Sequence, residues 1–126
     1  MEHNVISWVE IPVVDMDRAK QFYESIFEIE IEVHQFKELL MGWFPFADGK
    51  PGASGSLVRH SGAYVPSDTM GPVVYFSCDD VQHVLDRVEG AGGQIMQPKT
   101  QISEAIGFMG ILSDTEGNRI ALHSRK

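Results

Sequence analysis

A strand running into an acid-capped helix occurs twice in this chain, and that repetition limits the fold more than any other feature. In VISWVEIPVVDMDRAKQFYESIF (5–27), Val5, Ser7, Val9, Ile11 and Val13 alternate with Ile6, Trp8, Glu10 and Pro12. This is the period of a strand rich in β-branched residues. Asp15 then offers a carboxylate to the free N–H groups of a helix start, and Met16, Ala19, Phe22, Tyr23, Ile26 and Phe27 recur at helical spacing as one apolar stripe. Sixty-five positions on, in GPVVYFSCDDVQHVLDRVEGAGG, Val73 falls under Trp8, Asp80 under Asp15, Val81 under Met16, Val84 under Ala19 and Val88 under Tyr23. A long period that occurs twice points to duplication within one domain and not to a solenoid.

The segments between the two helices complete each unit. Glu30–Phe36 alternates as a second strand. Leu39–Phe46 (LLMGWFPF) is nearly all apolar and reads as a third, buried on both faces and ended by Pro45 and the turn residues Asp48 to Gly52. Ser54–His60 gives a fourth. The stretch 61–71, with Gly62, Pro66, Ser67 and Gly71, is the expected linker. In the second half, strand Val73–Cys78 leads into a helix at Val81–Glu89 that the cluster Gly90 to Gly93 terminates. Strands at Gln94–Pro98, Ile106–Leu112 and Arg119–Ser124 follow, with a turn at Asp114 to Asn118. The expectation is an α+β fold: one domain over 1–126 made of two βαβββ modules, at about 5–61 and 72–125.

The function classes narrow on charge. At 126 residues with a net charge of −8, the chain repels the phosphate backbone of a nucleic acid and anionic membrane surfaces, so neither is an expected partner. The single Cys78 excludes an internal disulfide and a cysteine metal cluster and suits a reducing compartment. No apolar run approaches the ~20 residues that span a bilayer. A soluble, cytoplasmic protein is expected. No Ser-His-Asp order, phosphate-binding glycine loop or CxxC is present to point to other enzyme classes.

The paired βαβββ pattern, its strand–Asp–helix openings at Trp8 to Phe27 and Val73 to Val88, and the closing GFMGILSDTEGNRIAL (107–122) resemble the vicinal oxygen chelate superfamily. That superfamily comprises glyoxalase I, bleomycin-resistance proteins and extradiol dioxygenases. The resemblance implies two modules curled into a half-barrel whose concave face, in the enzymes, holds a divalent metal on residues of the first and last strands of each module. Carried over position by position, those ligands fall on Trp8, Val73 and Ala121 and near Ser56. Indole, isopropyl and methyl groups donate no lone pair to Mn²⁺, Fe²⁺, Ni²⁺ or Zn²⁺, and a lone serine hydroxyl is a poor substitute. No metal or other cofactor is therefore expected at the usual site.

Period-2 alternation names the neighbours of those positions. Glu10 follows Trp8; Tyr75 and Ser77 follow Val73; Arg119 and His123 flank Ala121; His60 shares the face of Ser56. Glu10 and His123 are the candidate catalytic residues, each with the alternative of a solvated rim side chain. Trp8, Tyr75, Trp43, Phe108 and Arg119 are the candidate ligand-binding residues. The aromatics Trp8, Trp43, Phe44, Phe46, Tyr75 and Phe108 either fill the core or wall an apolar cavity of the kind that holds organic ligands. Arg119 makes either a surface salt bridge or an anion contact. His3, His34 and His83 are assigned to the surface, and Cys78 is expected to be an unreactive thiol because Asp79 and Asp80 raise its pKa.

Three functions fit. One is a metal-free protein, similar to the bleomycin-resistance branch, that binds a small organic molecule, with the acidic surface favouring a cation. The second is a lyase, isomerase or dioxygenase using a divalent metal on displaced ligands such as Glu10, His60 and His123. The third is an interaction module with a vestigial cavity. The resemblance also implies a homodimer.

Overall fold

A computed structural model describes residues 3–126. The order is β1 (Trp8–Pro12), α1 (Met16–Phe27), β2 (Glu32–Phe36), β3 (Leu39–Trp43), β4 (Ser54–Arg59), then β5 (Val74–Ser77), α2 (Val81–Val88), β6 (Gln94–Ser103), β7 (Gly107–Ser113) and β8 (Arg119–Ser124). Each half is the βαβββ unit read from the sequence. Its strands form a four-stranded sheet, ordered β1-β4-β3-β2 in one half and β5-β8-β7-β6 in the other. In both the outer strand runs parallel to the last, as the crossover through a helix requires. The two sheets are separate and do not close into a barrel. Among the described residues no helix is long and apolar enough to cross a membrane.

The helix starts follow from their acids. Asp15 accepts the Arg18 amide at 3.1 Å and Asp80 the Gln82 amide at 2.9 Å, each meeting a donor the first turn leaves free. On α1 the residues Met16, Ala19, Phe22, Tyr23 and Ile26 are buried; on α2 they are Val81, Val84, Leu85 and Val88. Both stripes face the same core, together with Ile11, Leu57, Leu112, Ile120 and Leu122 from the sheets. Aromatic rings bridge the halves: Phe27 stacks on Phe76 at 4.7 Å between centroids, and Phe44 meets Phe76 edge-on at 5.5 Å. After α2 the chain turns at Gly92, whose φ of +105° favours glycine, and Gly93 packs so closely that a Cβ would sit 2.6 Å from the Ser113 carbonyl oxygen.

The turn at Asp114 to Asn118 is more than a connection. It crosses to the other module and fixes the start of α1. Glu116, its side chain wholly out of solvent, accepts the Val14 and Asp15 amides at 2.8 and 2.7 Å and receives Arg18 Nε at 2.7 Å. Asp114 accepts the Tyr23 hydroxyl at 2.6 Å, and Asn118 donates to the Pro12 carbonyl at 2.7 Å. Burial pushes the Glu116 carboxyl up, but the bonds from Arg18, Asp15, Thr115 and Val14 outweigh it and hold it below the usual range.

Several expectations are corrected. β1 begins at Trp8, leaving Val5 and Ile6 exposed. β3 ends at Trp43 and is not buried on both faces: Gly42 and Leu40 face the helices, while Leu39, Met41 and Trp43 stand half-covered on the open face. β6 runs on past Pro98 to Ser103; it is an edge strand with register shifts, where a missing N–H is tolerated.

Candidate functional site

Paired residues share a face, so the register places the open face of each sheet. In the first module, Glu10 lies opposite Ser56, which lies opposite Trp43, which lies opposite Glu32, making one row across β1, β4, β3 and β2. In the second, Tyr75 lies beside Ala121 and then Ile111, and Ser77 beside His123 and then Met109. These rows are the faces turned away from the helices, since Val9, Ile11, Phe76, Ile120 and Leu122, at the alternate positions, belong to the shared core or pack against it.

A cleft of about 1480 Å³ runs along the two outer strands β1 and β5, and Trp8, Glu10, Tyr75 and Arg119 all line it. Trp8 and Tyr75 are 45% and 54% exposed. Rings that served only as core would be covered, as Phe22 and Tyr23 are. Glu10 receives a hydrogen bond from the Tyr64 hydroxyl at 2.5 Å. That bond first, then partial burial and the carboxylate's charge, raise the phenol's pKa. Tyr64 belongs to the linker and was not among the expected site residues; a lone tyrosine amid Gly, Pro and Ser is the signal that could have found it.

The remaining candidates lie elsewhere. His123 shares the open face of its sheet but does not line the cleft; its Nε2 is 2.7 Å from the Ile106 carbonyl oxygen, which can only accept, so that nitrogen carries the proton. The two catalytic candidates are thus each tied to a different partner on a different sheet. Trp43 also lies outside the cleft. It packs on His34 at 4.0 Å and stacks on Phe36 at 6.1 Å; its Nε1 and His34 Nε2 are buried without hydrogen-bond partners, though His34 Nε2 lies 3.8 Å from a Glu32 carboxylate oxygen. His34 is therefore half of an aromatic stack and not a plain surface residue. Phe108 stands on the helix side of its sheet, opposite Ser124, with the Lys99 ammonium 4.6 Å from its ring centre. Lys99 in turn holds Asp80, the cap of α2, at 2.9 Å. Phe44, by contrast, packs against the core and also borders the cleft. Burial first, then the charges of Asp80 and Asp79, push the Cys78 thiol up, as expected from its neighbours.

None of the four positions where the resemblance puts metal ligands offers a free donor. The Trp8 indole and the Val73 isopropyl group have no lone pair to give. Ser56 is fully buried and spends its hydroxyl on the Leu57 carbonyl at 2.7 Å, and Ala121 is fully buried. Among the described residues no three His, Cys, Asp or Glu side chains converge where one ion could be held. The side chains present do not fit the metal of the superfamily's enzymes.

Comparison with known proteins agrees with this architecture. Residues 5–122 match the family model described as the Glyoxalase/Bleomycin resistance protein/Dioxygenase superfamily. The putative glyoxylase CFP32 of Mycobacterium tuberculosis is 30% identical over 129 residues, which cover 92% of this chain and 44% of that protein, so the chain spans less than half of that relative. Among solved structures, a glyoxylase/bleomycin resistance protein/dioxygenase domain from a Frankia species superposes with a TM-score of 0.76 at 16% identity, covering 99% of this chain and 100% of that one. Glyoxalase I from Zea mays superposes at 0.70 with 17% identity, covering 94% of this chain and 45% of that one. A family model matched along nearly the whole chain, onto two βαβββ modules with an open face each, places this protein in the glyoxalase/bleomycin resistance protein/dioxygenase superfamily.

Proposed function

We propose that the chain binds a small organic molecule in the cleft between its outer strands, without a metal. The observation that carries this reading is the pair of exposed rings, Trp8 and Tyr75, lining one cleft of about 1480 Å³. An indole and a phenol offer stacking faces at low conformational cost, and a few polar groups beside them suffice to orient a ligand. Trp8 stands where the resemblance puts a metal ligand, so the ring takes the metal's place as the floor of the site. A homodimer accompanies the reading, with exposed Phe36 and Phe46 as apolar surface for a second copy; a monomer by light scattering at micromolar concentration contradicts that part. The binding reading is tested by ligand-observed NMR with a library of aromatic and alicyclic fragments. Hits that bind the wild type and lose at least about tenfold in affinity in Trp8→Ala, an anchor's share of ~1.4 kcal/mol or more, are expected. No hits, or hits indifferent to Trp8, would overturn it.

A further inference from the structure

Among the arginines of this chain, Arg119 stands apart. Arg18 binds Glu116, Arg59 donates to the Val14 carbonyl, Arg87 to the Ile26 carbonyl and Glu28, and even the exposed Arg125 to the Ala105 carbonyl. The Arg119 side chain makes no hydrogen bond or ion pair with any described residue, and its Nε is buried without a partner. A guanidinium is charged at every physiological pH and presents its donors in a fixed fork. Arg119 lines the cleft, and none of its side-chain donors has a partner among the described residues, which leaves its charge uncompensated there.

The position of Arg119 is fixed independently of any such partner. Its amide donates to the Ser67 carbonyl of the linker at 3.4 Å, and its Cα pairs with Ser113. On one side Asn118 is tied to Asp114 and Pro12; on the other Ile120 is in the core. The acids that could have neutralised it are engaged: Glu116 and Asp114 in the inter-module turn, Glu10 with the Tyr64 hydroxyl. Asp79, which also lines the cleft, lies beyond the opposite end of β5, because Val74 pairs with Ile120 and Ser77 with His123.

We infer that Arg119 is an anion anchor, and that the cleft takes a small organic acid, a carboxylate or phosphate monoester whose apolar body lies against Trp8 and Tyr75. This rests on the reading of the cleft as a ligand site and names the ligand's class. It runs against the long-range field, since a net charge of −8 draws cations; within the cleft, the unneutralised guanidinium of Arg119 supplies a local, charge-assisted contact that the field does not.

The test uses three probes of one shape, naphthalene-1-acetate, 1-naphthyl phosphate and 1-naphthylacetamide, titrated calorimetrically and by amide chemical shifts into the wild-type chain, Arg119→Gln and Arg119→Lys. At least one acid binds the wild type ten times or more tightly than the amide, and whichever acid does so identifies the anion. In Arg119→Gln that preference disappears, with acid binding weakened far more than amide binding; in Arg119→Lys, which keeps charge without the fork, part of it survives. Amide and acids binding alike, or a preference that persists in Arg119→Gln with unchanged thermal melting, overturns the anchor and leaves the cleft standing. Binding of none of the three overturns both.

Discussion

Glu116 reaches across the module boundary to Arg18, with Oε2 2.7 Å from the guanidinium Nε and Oε1 2.7 Å from the Asp15 amide. One carboxylate of the second module thereby completes the helix start of the first, about a hundred positions earlier in the chain. The first module has no such reciprocal turn: its 48–52 segment, between β3 and β4, is exposed. The two halves are alike in topology and unlike in what joins them.

Replacing Glu116 should therefore loosen the whole domain. Glu116→Ala leaves the Val14 and Asp15 amides without acceptors, and a loss of ~2–4 kcal/mol is expected in denaturant unfolding. The pH dependence has a definite sign. Because the folded-state pKa is lowered, the contribution is present above the unfolded value, ~4.3, and is lost as pH falls through the lower folded value. Glu116→Gln removes that portion of the acid limb, which a series of melts from neutral pH down to about pH 3 would read.

Tyr23 isolates the second bond of the same turn. Its hydroxyl donates to Asp114 in the core, where burial and then the Asp114 charge push the phenol's pKa well up, so it stays protonated. Tyr23→Phe keeps the ring stack and should cost ~1–2 kcal/mol, with the far-ultraviolet spectrum unchanged. A variant as stable as the wild type would mean that the hydroxyl contributes nothing.

Glu10 and Tyr64 can be read spectroscopically. The phenol's pKa is raised by the Glu10 hydrogen bond first, then by partial burial and the carboxylate's charge. In Glu10→Gln one tyrosine should titrate at lower pH than in the wild type, followed by its phenolate absorbance in the near ultraviolet. Stability should change by less than ~1 kcal/mol, since the pair is exposed. An unmoved titration would mean that the linker tyrosine does not hold Glu10 in solution.

What the sequence made legible was local. The alternation of Val9 and Ile11, the stripes on α1 and α2, and the caps Asp15 and Asp80 follow from neighbours within a turn or a strand, and they gave both modules in order. What depended on register or long-range contact did not show. Alternation within β7 could not say which face Phe108 takes until the turn at 114–118 fixed Ser113 opposite Arg119, and with it Phe108 opposite Ser124. Tyr64 meets Glu10 across 54 positions, and Glu116 meets Asp15 across 101, separations at which no periodicity carries information. The half-buried face of LLMGWFPF misled because an apolar run reads the same whether the second face is covered by core or left half open.

Binding without an ion is what most separates the proposed site from those of the superfamily's metal enzymes. Elemental analysis after purification without chelator or affinity-tag metal, and after separate reconstitution with Mn²⁺, Fe²⁺, Ni²⁺ and Zn²⁺, tests it most directly. Metal well below one equivalent is expected in every sample. Near-stoichiometric metal that disappears in Glu10→Ala or His123→Ala would contradict a metal-free cleft and make displaced ligands the centre of a metal-dependent site.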